Sequence, residues 1–163
     1  MSDKPTIYIE TTIPSFLMAR PSGDLISAGR QLITRQWWEQ KRSEYELFVS
    51  KIVLEEAGRG DPAAARFRLD ALEGLPLLDV DEPALALTQT ILESGVIPGK
   101  AAADAGHVAV AARYGMNFLL TWNCSHIANA AIWTKLGEGV QKAGYRLPVI
   151  CTPDELLAGG QNE

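Results

Sequence analysis

The stretch that decides the fold is TIYIE, at residues 6–10, the first apolar segment of the chain. β-Branched and aromatic residues favour a strand, and the polar sequence TTIPS that follows ends it, because Pro14 cannot continue a central strand. Since the segment is almost wholly apolar, we expect a central strand that is buried on both faces. Its one charged side chain, Glu10, stands at the carboxyl end.

Strand-like and helix-like segments alternate along the rest of the chain. The further strands are expected at 46–50, 75–80, 117–122 and 147–151. The helices are expected at 24–42, 51–58, 61–73, 82–94, 101–114 and 126–144, the last with a break near Gly137 and Gly139, and at TPDELLA (152–158). This alternation predicts an α/β domain in three layers, with helices on both faces of a central, mostly parallel sheet of four or five strands.

Composition excludes several classes of protein. The chain has 163 residues, 47% hydrophobic and 21% charged, with a net charge of −5. This size and composition predict one globular domain over 1–163, with a core at about 6–151 and a flexible tail at 159–163. The net charge excludes a histone-like, charge-driven nucleic-acid binder. Two cysteines make neither a disulfide scaffold nor a zinc finger, and no signal peptide or membrane span is evident, so we expect a soluble cytoplasmic protein.

Polar residues that follow the strands are the candidates for chemistry, because ligands bind at the carboxyl ends of strands in an open parallel sheet. Glu10 ends the first strand and is followed by Thr11 and Thr12, while Thr121 stands at the end of the strand at 117–122 and Asn123 follows it. Asp104 lies in the first turn of an alanine-rich helix, where the helix dipole alone would also stabilise it. Glu55 and Glu56 lie on the helix after the second strand, and periodicity does not choose between them.

Other chemistries fit the sequence less well. A single Glu after the first strand disfavours an aspartyl phosphatase, and no phosphate-binding glycine loop follows that strand. Cys124 and His107 are conceivable as a nucleophile pair, although a packing role for Cys124 is the more usual one. His126 is suited equally to a structural role near a helix start and to lining a site.

Four segments together resemble the PIN-domain nucleases, in the family's order and over about residues 6–151. They are IYIETT at 7–12, SKIVLEEA at 50–57, DAGHVAVAA at 104–112 and LLTWN at 119–123. Within that family the chain looks closest to VapC-like proteins, the toxins of bacterial type II toxin–antitoxin pairs. The position six residues after Ser50 then selects Glu56 over Glu55.

The resemblance implies a divalent-metal-dependent endoribonuclease. Glu10, Glu56, Asp104 and Asn123 would ligate Mg²⁺ or Mn²⁺, while Thr12 and Thr121 would orient water or phosphate. The metal would activate the water that displaces a 3′-oxygen, leaving 5′-phosphate and 3′-hydroxyl ends. Glu10 and Asn123 stand where the family usually has Asp. With three formal negative charges instead of four, cation binding is expected to be weaker, and the alternative is a catalytically weak module that binds RNA or a protein.

The charge distribution is compatible with an RNA substrate. Nine of the 15 Lys and Arg residues lie between residues 20 and 68, while residues 70–99 have six acids and no base. The expected phosphate contacts are Arg20, Arg59, Arg66 and Arg68. Trp37 and Trp38 are adjacent on the long helix, so only one can face the core and the other is available to a partner. The resemblance implies that this region meets an antitoxin or a second copy of the chain, so we expect a homodimer with a cognate antitoxin.

Overall fold

The computed structural model describes residues 3–157, and its centre is a five-stranded parallel sheet in the order β3-β2-β1-β4-β5. The strands are β1 (Thr6–Ile9), β2 (Glu46–Ser50), β3 (Leu77–Leu78), β4 (Phe118–Leu120) and β5 (Val149–Cys151). As the apolar sequence predicts, β1 is central, and Ile7, Tyr8 and Ile9 have no exposed surface. On one side of β1 lie β2 and then β3, and on the other side lie β4 and then β5.

Within residues 3–157, seven α-helices lie between the strands and an eighth follows β5. Their bounds are α1 (Thr12–Met18), α2 (Leu25–Gln40), α3 (Lys51–Ala57), α4 (Pro62–Leu72), α5 (Glu82–Glu93), α6 (Ala102–Arg113), α7 (Ala130–Lys142) and α8 (Pro153–Leu157). Helix α1 packs on α2 and α4, and α2 packs on α8. Helix α6 packs on α3 and α5, and α5 packs on α7, while α3 also packs on α4 and so links the two sets. The sheet and these helices give the three-layer α/β/α arrangement that the sequence predicts.

Helix starts follow the capping residues of the sequence. The carboxylates of Asp24, Asp61 and Asp81 each accept a hydrogen bond from a backbone N–H of the first helical turn. Such caps satisfy donors that have no partner within the helix. Ser50 precedes α3 as expected, but its hydroxyl makes no capping hydrogen bond and turns instead toward Tyr8.

Three elements differ from what the sequence predicts. Helix α1 was not predicted; it accommodates Pro14 because the first turn of a helix needs no N–H from that residue. Strand β3 has two residues, not six, and follows Pro76. Helix α7 begins at Ala130 rather than His126, because Asn129 caps it, and it continues without a break through both glycines. The tail expected at 159–163 lies outside the described residues.

The two adjacent tryptophans occupy different environments. Trp37 is fully buried, and Trp38 is partly buried with the guanidinium of Arg42 4.1 Å from its ring centroid. One tryptophan therefore faces the core, as predicted, but the other is covered by a neighbouring arginine. In the part of the chain that is described, no helix is long and apolar enough to cross a membrane.

Candidate active site

Glu10 lies at the switch point of the sheet, where β1 ends between β2 and β4. Its side chain is buried, and Oε1 accepts hydrogen bonds from the backbone N–H and hydroxyl of Thr12 and from the hydroxyl of Thr121, at 3.1, 2.5 and 2.6 Å. These donors satisfy one carboxylate oxygen. No hydrogen bond from residues 3–157 reaches the other oxygen, Oε2, so it is free to bind a ligand.

Glu56, rather than Glu55, belongs to this site. Oε1 of Glu56 accepts a hydrogen bond from the hydroxyl of Thr11 at 2.6 Å and lies 2.6 Å from Nε2 of His107. Burial alone would raise the pKa of this carboxyl, but the hydrogen bond and electrostatic attraction to His107, with smaller contributions from Thr11 and Arg59, hold the pKa below its ordinary value. Glu55 is exposed and pairs with Lys51 on the surface of the helix.

His107 connects Glu56 to the interior of the sheet. Its Nδ1 lies 2.7 Å from the hydroxyl of Tyr8, which lies 2.7 Å from the hydroxyl of Ser50. Tyr8, Ser50 and His107 are all fully buried. Burial raises the pKa of Tyr8 far above its ordinary value, so the phenol keeps its proton. The sequence suggested His107 as a partner of Cys124 or as a residue that lines the site, and no pattern in it connected His107 with Tyr8.

The side chains of Glu10, Glu56 and His107 converge, with one potential ligand atom from each within 4.8 Å of the others. Carboxylate oxygens are the ligands that Mg²⁺ and Mn²⁺ prefer. Because each glutamate has one oxygen already bonded to neighbouring donors, each offers its second oxygen to a cation. The donor set of this structure therefore fits a divalent metal ion.

Asp104 and Asn123 form a second cluster with His126, beside the first. Nδ1 of His126 lies 3.0 Å from Oδ2 of Asp104, and the backbone N–H of His126 donates to Oδ1 of Asn123 at 3.0 Å. Thr121 joins the clusters, because its oxygen donates to Glu10 and accepts from the backbone N–H of Asn123 at 2.9 Å. Asp104 thus contacts His126, a residue 22 positions further along the chain.

Of the four candidate arginines, Arg66 and Arg68 lie on α4, and Arg20 and Arg59 lie in the loops after α1 and α3. Arg20, Arg59 and Arg66 are exposed. Arg68 donates to the backbone carbonyls of Ala57 and Arg59, and so ties α4 to the end of α3. A cavity of about 520 Å³ between α1 and α4 is lined by Ser15, Met18, Ala19, Arg20, Asp61, Ala63, Ala64, Phe67 and Arg68.

The alternative nucleophile pair finds no support in the geometry. Both ring nitrogens of His107 are within hydrogen-bonding distance of Tyr8 and Glu56. Cys124 is exposed, so the expectation that it packs in the core was also wrong. Sequence reasoning assigned no role in the site to Tyr8 or to Ser50. The period of a strand, which puts Tyr8 on the same face as Glu10, was the available signal.

Comparisons with known proteins identify the fold. No family model matches the sequence, and no curated protein matches it. Among solved structures, the chain is similar to VapBC2 of Rickettsia felis, solved with a DNA fragment from the promoter of the pair, with 15% identity, a TM-score of 0.58 and coverage of 90% of this chain and 98% of that chain. It is also similar to VapC20 of Mycobacterium tuberculosis, a toxin that cleaves the sarcin–ricin loop, with 18% identity, a TM-score of 0.53 and coverage of 85% and 95%.

These structures span nearly the whole chain and confirm the fold that the four sequence segments predicted. At 15% and 18% identity, the likeness concerns the arrangement of strands and helices. The chain therefore has the VapC-like PIN-domain fold.

Proposed function

We propose that this protein is a divalent-metal-dependent endoribonuclease that hydrolyses RNA phosphodiester bonds, the toxin of a toxin–antitoxin pair. One observation carries the proposal: Glu10 and Glu56 converge at the switch point of a VapC-like sheet, each with one carboxylate oxygen left uncommitted. The carboxylate of Glu10 is buried and that of Glu56 is half-buried, so their negative charges repel one another. A cation bound between them would remove this repulsion.

Four residues would hold Mg²⁺ or Mn²⁺, directly or through water: Glu10, Glu56, Asp104 and Asn123. When bound, the ion would supply Lewis acidity toward the attacking water and the phosphoryl oxygens. Thr12 and Thr121 fix the carboxylate of Glu10 by hydrogen bonds to Oε1, which restricts it to a single orientation. The hydrogen bonds between His126 and its neighbours hold Asp104 and Asn123 beside the first cluster.

The substrate and the partners are proposed on charge and exposure. Exposed arginines at positions 20, 59 and 66 would contact RNA phosphates, and Arg68 would add its charge while holding the α3–α4 loop. Leu25, Ile26 and Leu32 on α2 are 88%, 69% and 59% exposed, an apolar face that suits a protein partner. We propose a cognate antitoxin, in keeping with the solved VapBC2, and a homodimer.

One specific observation favours the alternative, a weak or inactive module that binds RNA or protein. Oδ1 of Asn123 and Oδ2 of Asp104 are both engaged by His126, which leaves less of the second cluster for a cation. Saturable Mn²⁺ binding, measured by titration calorimetry, separates the two functions because the inactive module needs no metal.

The decisive experiment is cleavage of a mixed, structured RNA pool by purified protein in Mg²⁺, Mn²⁺ and EDTA. Glu56→Gln and Asp104→Ala are expected to abolish cleavage while leaving the circular dichroism spectrum unchanged. Glu55→Gln is a matched control, because it makes the same change one residue away at an exposed surface position. If Glu56→Gln and Asp104→Ala cleave RNA like the wild type, the proposed site is wrong.

A further inference from the structure

The buried row Ser50–Tyr8–His107 ends on a carboxylate of the proposed metal site. Its three side chains are fully buried, and consecutive polar atoms along the row to Glu56 are 2.7, 2.7 and 2.6 Å apart. Burial of polar groups is unfavourable unless their hydrogen bonds are made, and this row satisfies all of its members. It starts in β2, crosses β1 and ends on α6 and α3, so it joins four elements of the fold.

The sheet register explains how the row forms. Tyr8 of β1 pairs with Phe48 of β2, and Ser50 follows Phe48 by two residues. Side chains two apart on a strand share a face, so Tyr8, Glu10 and Ser50 point to the same side of the sheet. Helix α6 brings His107 to that side. A Cβ at Gly106 would lie 2.8 Å from Cδ1 of Ile52, so the missing side chain lets α6 approach α3 closely.

Proton positions along the row follow from the chemistry of its ends. A carboxylate that holds a cation is ionised and can only accept hydrogen bonds, so the proton between His107 and Glu56 belongs to Nε2. In the neutral imidazole Nδ1 then accepts from the hydroxyl of Tyr8, and the oxygen of Tyr8 accepts from the hydroxyl of Ser50. Every donor in this arrangement has an acceptor. A ring nitrogen that carries a proton has no lone pair for a metal ion.

We propose that His107 is a positioning residue and not a metal ligand: its Nε2–H holds Oε1 of Glu56, and Tyr8 and Ser50 hold its other nitrogen. The glutamate is then presented to the cation through Oε2 alone, just as Thr12 and Thr121 leave only Oε2 of Glu10 free. This inference rests on the proposed function, because that function supplies the cation that Glu56 would bind. Partners of this kind orient metal ligands, and their loss typically weakens metal affinity by about 10–100-fold.

The first test measures Mn²⁺ affinity by titration calorimetry in three variants. His107→Leu removes the donor and is expected to weaken binding by about 10–100-fold. His107→Gln, whose amide can donate from nearly the same place, should recover most of this loss, and Tyr8→Phe should lose affinity severalfold. Leu87→Ala, a buried change on α5 outside the row, destabilises the fold and should leave the affinity unchanged. If Leu87→Ala weakens binding as much as His107→Leu, the effect is general destabilisation and the proposal fails.

The second test distinguishes positioning from ligation and from failure of the proposed function. In the Mn²⁺-loaded wild type, pulsed electron paramagnetic resonance should detect no directly coordinated imidazole nitrogen, and its detection would overturn the proposal. In the metal-free protein, ¹⁵N resonances of His107 should show a proton on Nε2, and a bare Nε2 would equally overturn it. If the protein shows no saturable Mn²⁺ binding but Nε2 carries a proton, the proposed metal-dependent nuclease function is rejected, while the hydrogen bond from His107 to Glu56 is supported.

Discussion

Thr121→Val tests whether hydrogen bonds to Glu10 organise the site. The hydroxyl of Thr121 is fully buried, donates to Oε1 of Glu10 at 2.6 Å and accepts from the backbone N–H of Asn123 at 2.9 Å. Valine has nearly the same shape and removes both bonds. A bond to a charged group contributes about 1.5–3 kcal/mol and a neutral one about 1 kcal/mol, so the free energy of unfolding should fall by about 2–4 kcal/mol. For a chain of this size, that corresponds to a Tm lower by roughly 5–15 °C.

Urea unfolding and differential scanning calorimetry in EDTA measure this change without any contribution from bound metal. Thr90→Val is the matched control: Thr90 is exposed on α5, and its hydroxyl bonds only to the carbonyl of Ala86 in the same helix. Its effect should stay within about 0.5 kcal/mol, as for other surface substitutions. If the free energy of unfolding of Thr121→Val also lies within about 0.5 kcal/mol of the wild-type value, the hydrogen bonds of Thr121 do not stabilise the fold and the reasoning is refuted.

Three further predictions concern stability and thiol reactivity. Desolvation would raise the pKa of Asp81, but hydrogen bonds at the start of α5 and the guanidinium of Arg113 hold this pKa below its ordinary value of 3.8. The ionised Asp81 therefore stabilises the fold above pH 3.8, and this stabilisation is lost as the pH falls through the lowered pKa. Asp81→Asn should accordingly make the free energy of unfolding less dependent on pH in the acid range. An Asp81→Asn profile as steep as that of the wild type would contradict this. Gly106→Val puts a branched side chain where Cδ1 of Ile52 now lies, so Ile52 must move and the free energy of unfolding in urea should fall by about 1–3 kcal/mol. An unchanged midpoint would show that Ile52 moves aside without loss of packing. Burial raises the pKa of Cys151 to about 12, whereas Cys124 is exposed, so a thiol reagent at pH 8 should label one cysteine in the native protein and two after denaturation, and rapid native labelling of both would disprove the burial.

Local patterns made much of the fold predictable. The apolar run at 6–10 indicated the central strand, and Asp24 and Asp61 marked helix starts that the structure confirms. The failures were short elements, because one turn of helix or two residues of strand leave little periodic signal. Helix α1 and strand β3 are of this kind, and both depend on the packing of neighbouring elements.

The sequence predicted that polar residues would gather at one edge of the sheet, but not which of them touch. The sequence placed Glu10, Thr121 and Asn123 after strands that lie side by side, because parallel strands end at one edge of a sheet. It could not show that His126 lies against Asp104, since the turn before α7 brings them together across 22 positions of sequence.

By itself, the sequence determined the α/β class, the central strand and the acidic residues at its edge, because these depend on composition and on periods of two and 3.6 residues. Only the tertiary structure decided that Glu56 meets His107, and that Tyr8 and Ser50 stand behind it. The physical reason is that such contacts join residues 42–99 positions apart. They are fixed by strand order, register and the close approach of α6 to α3, none of which is encoded in a local pattern.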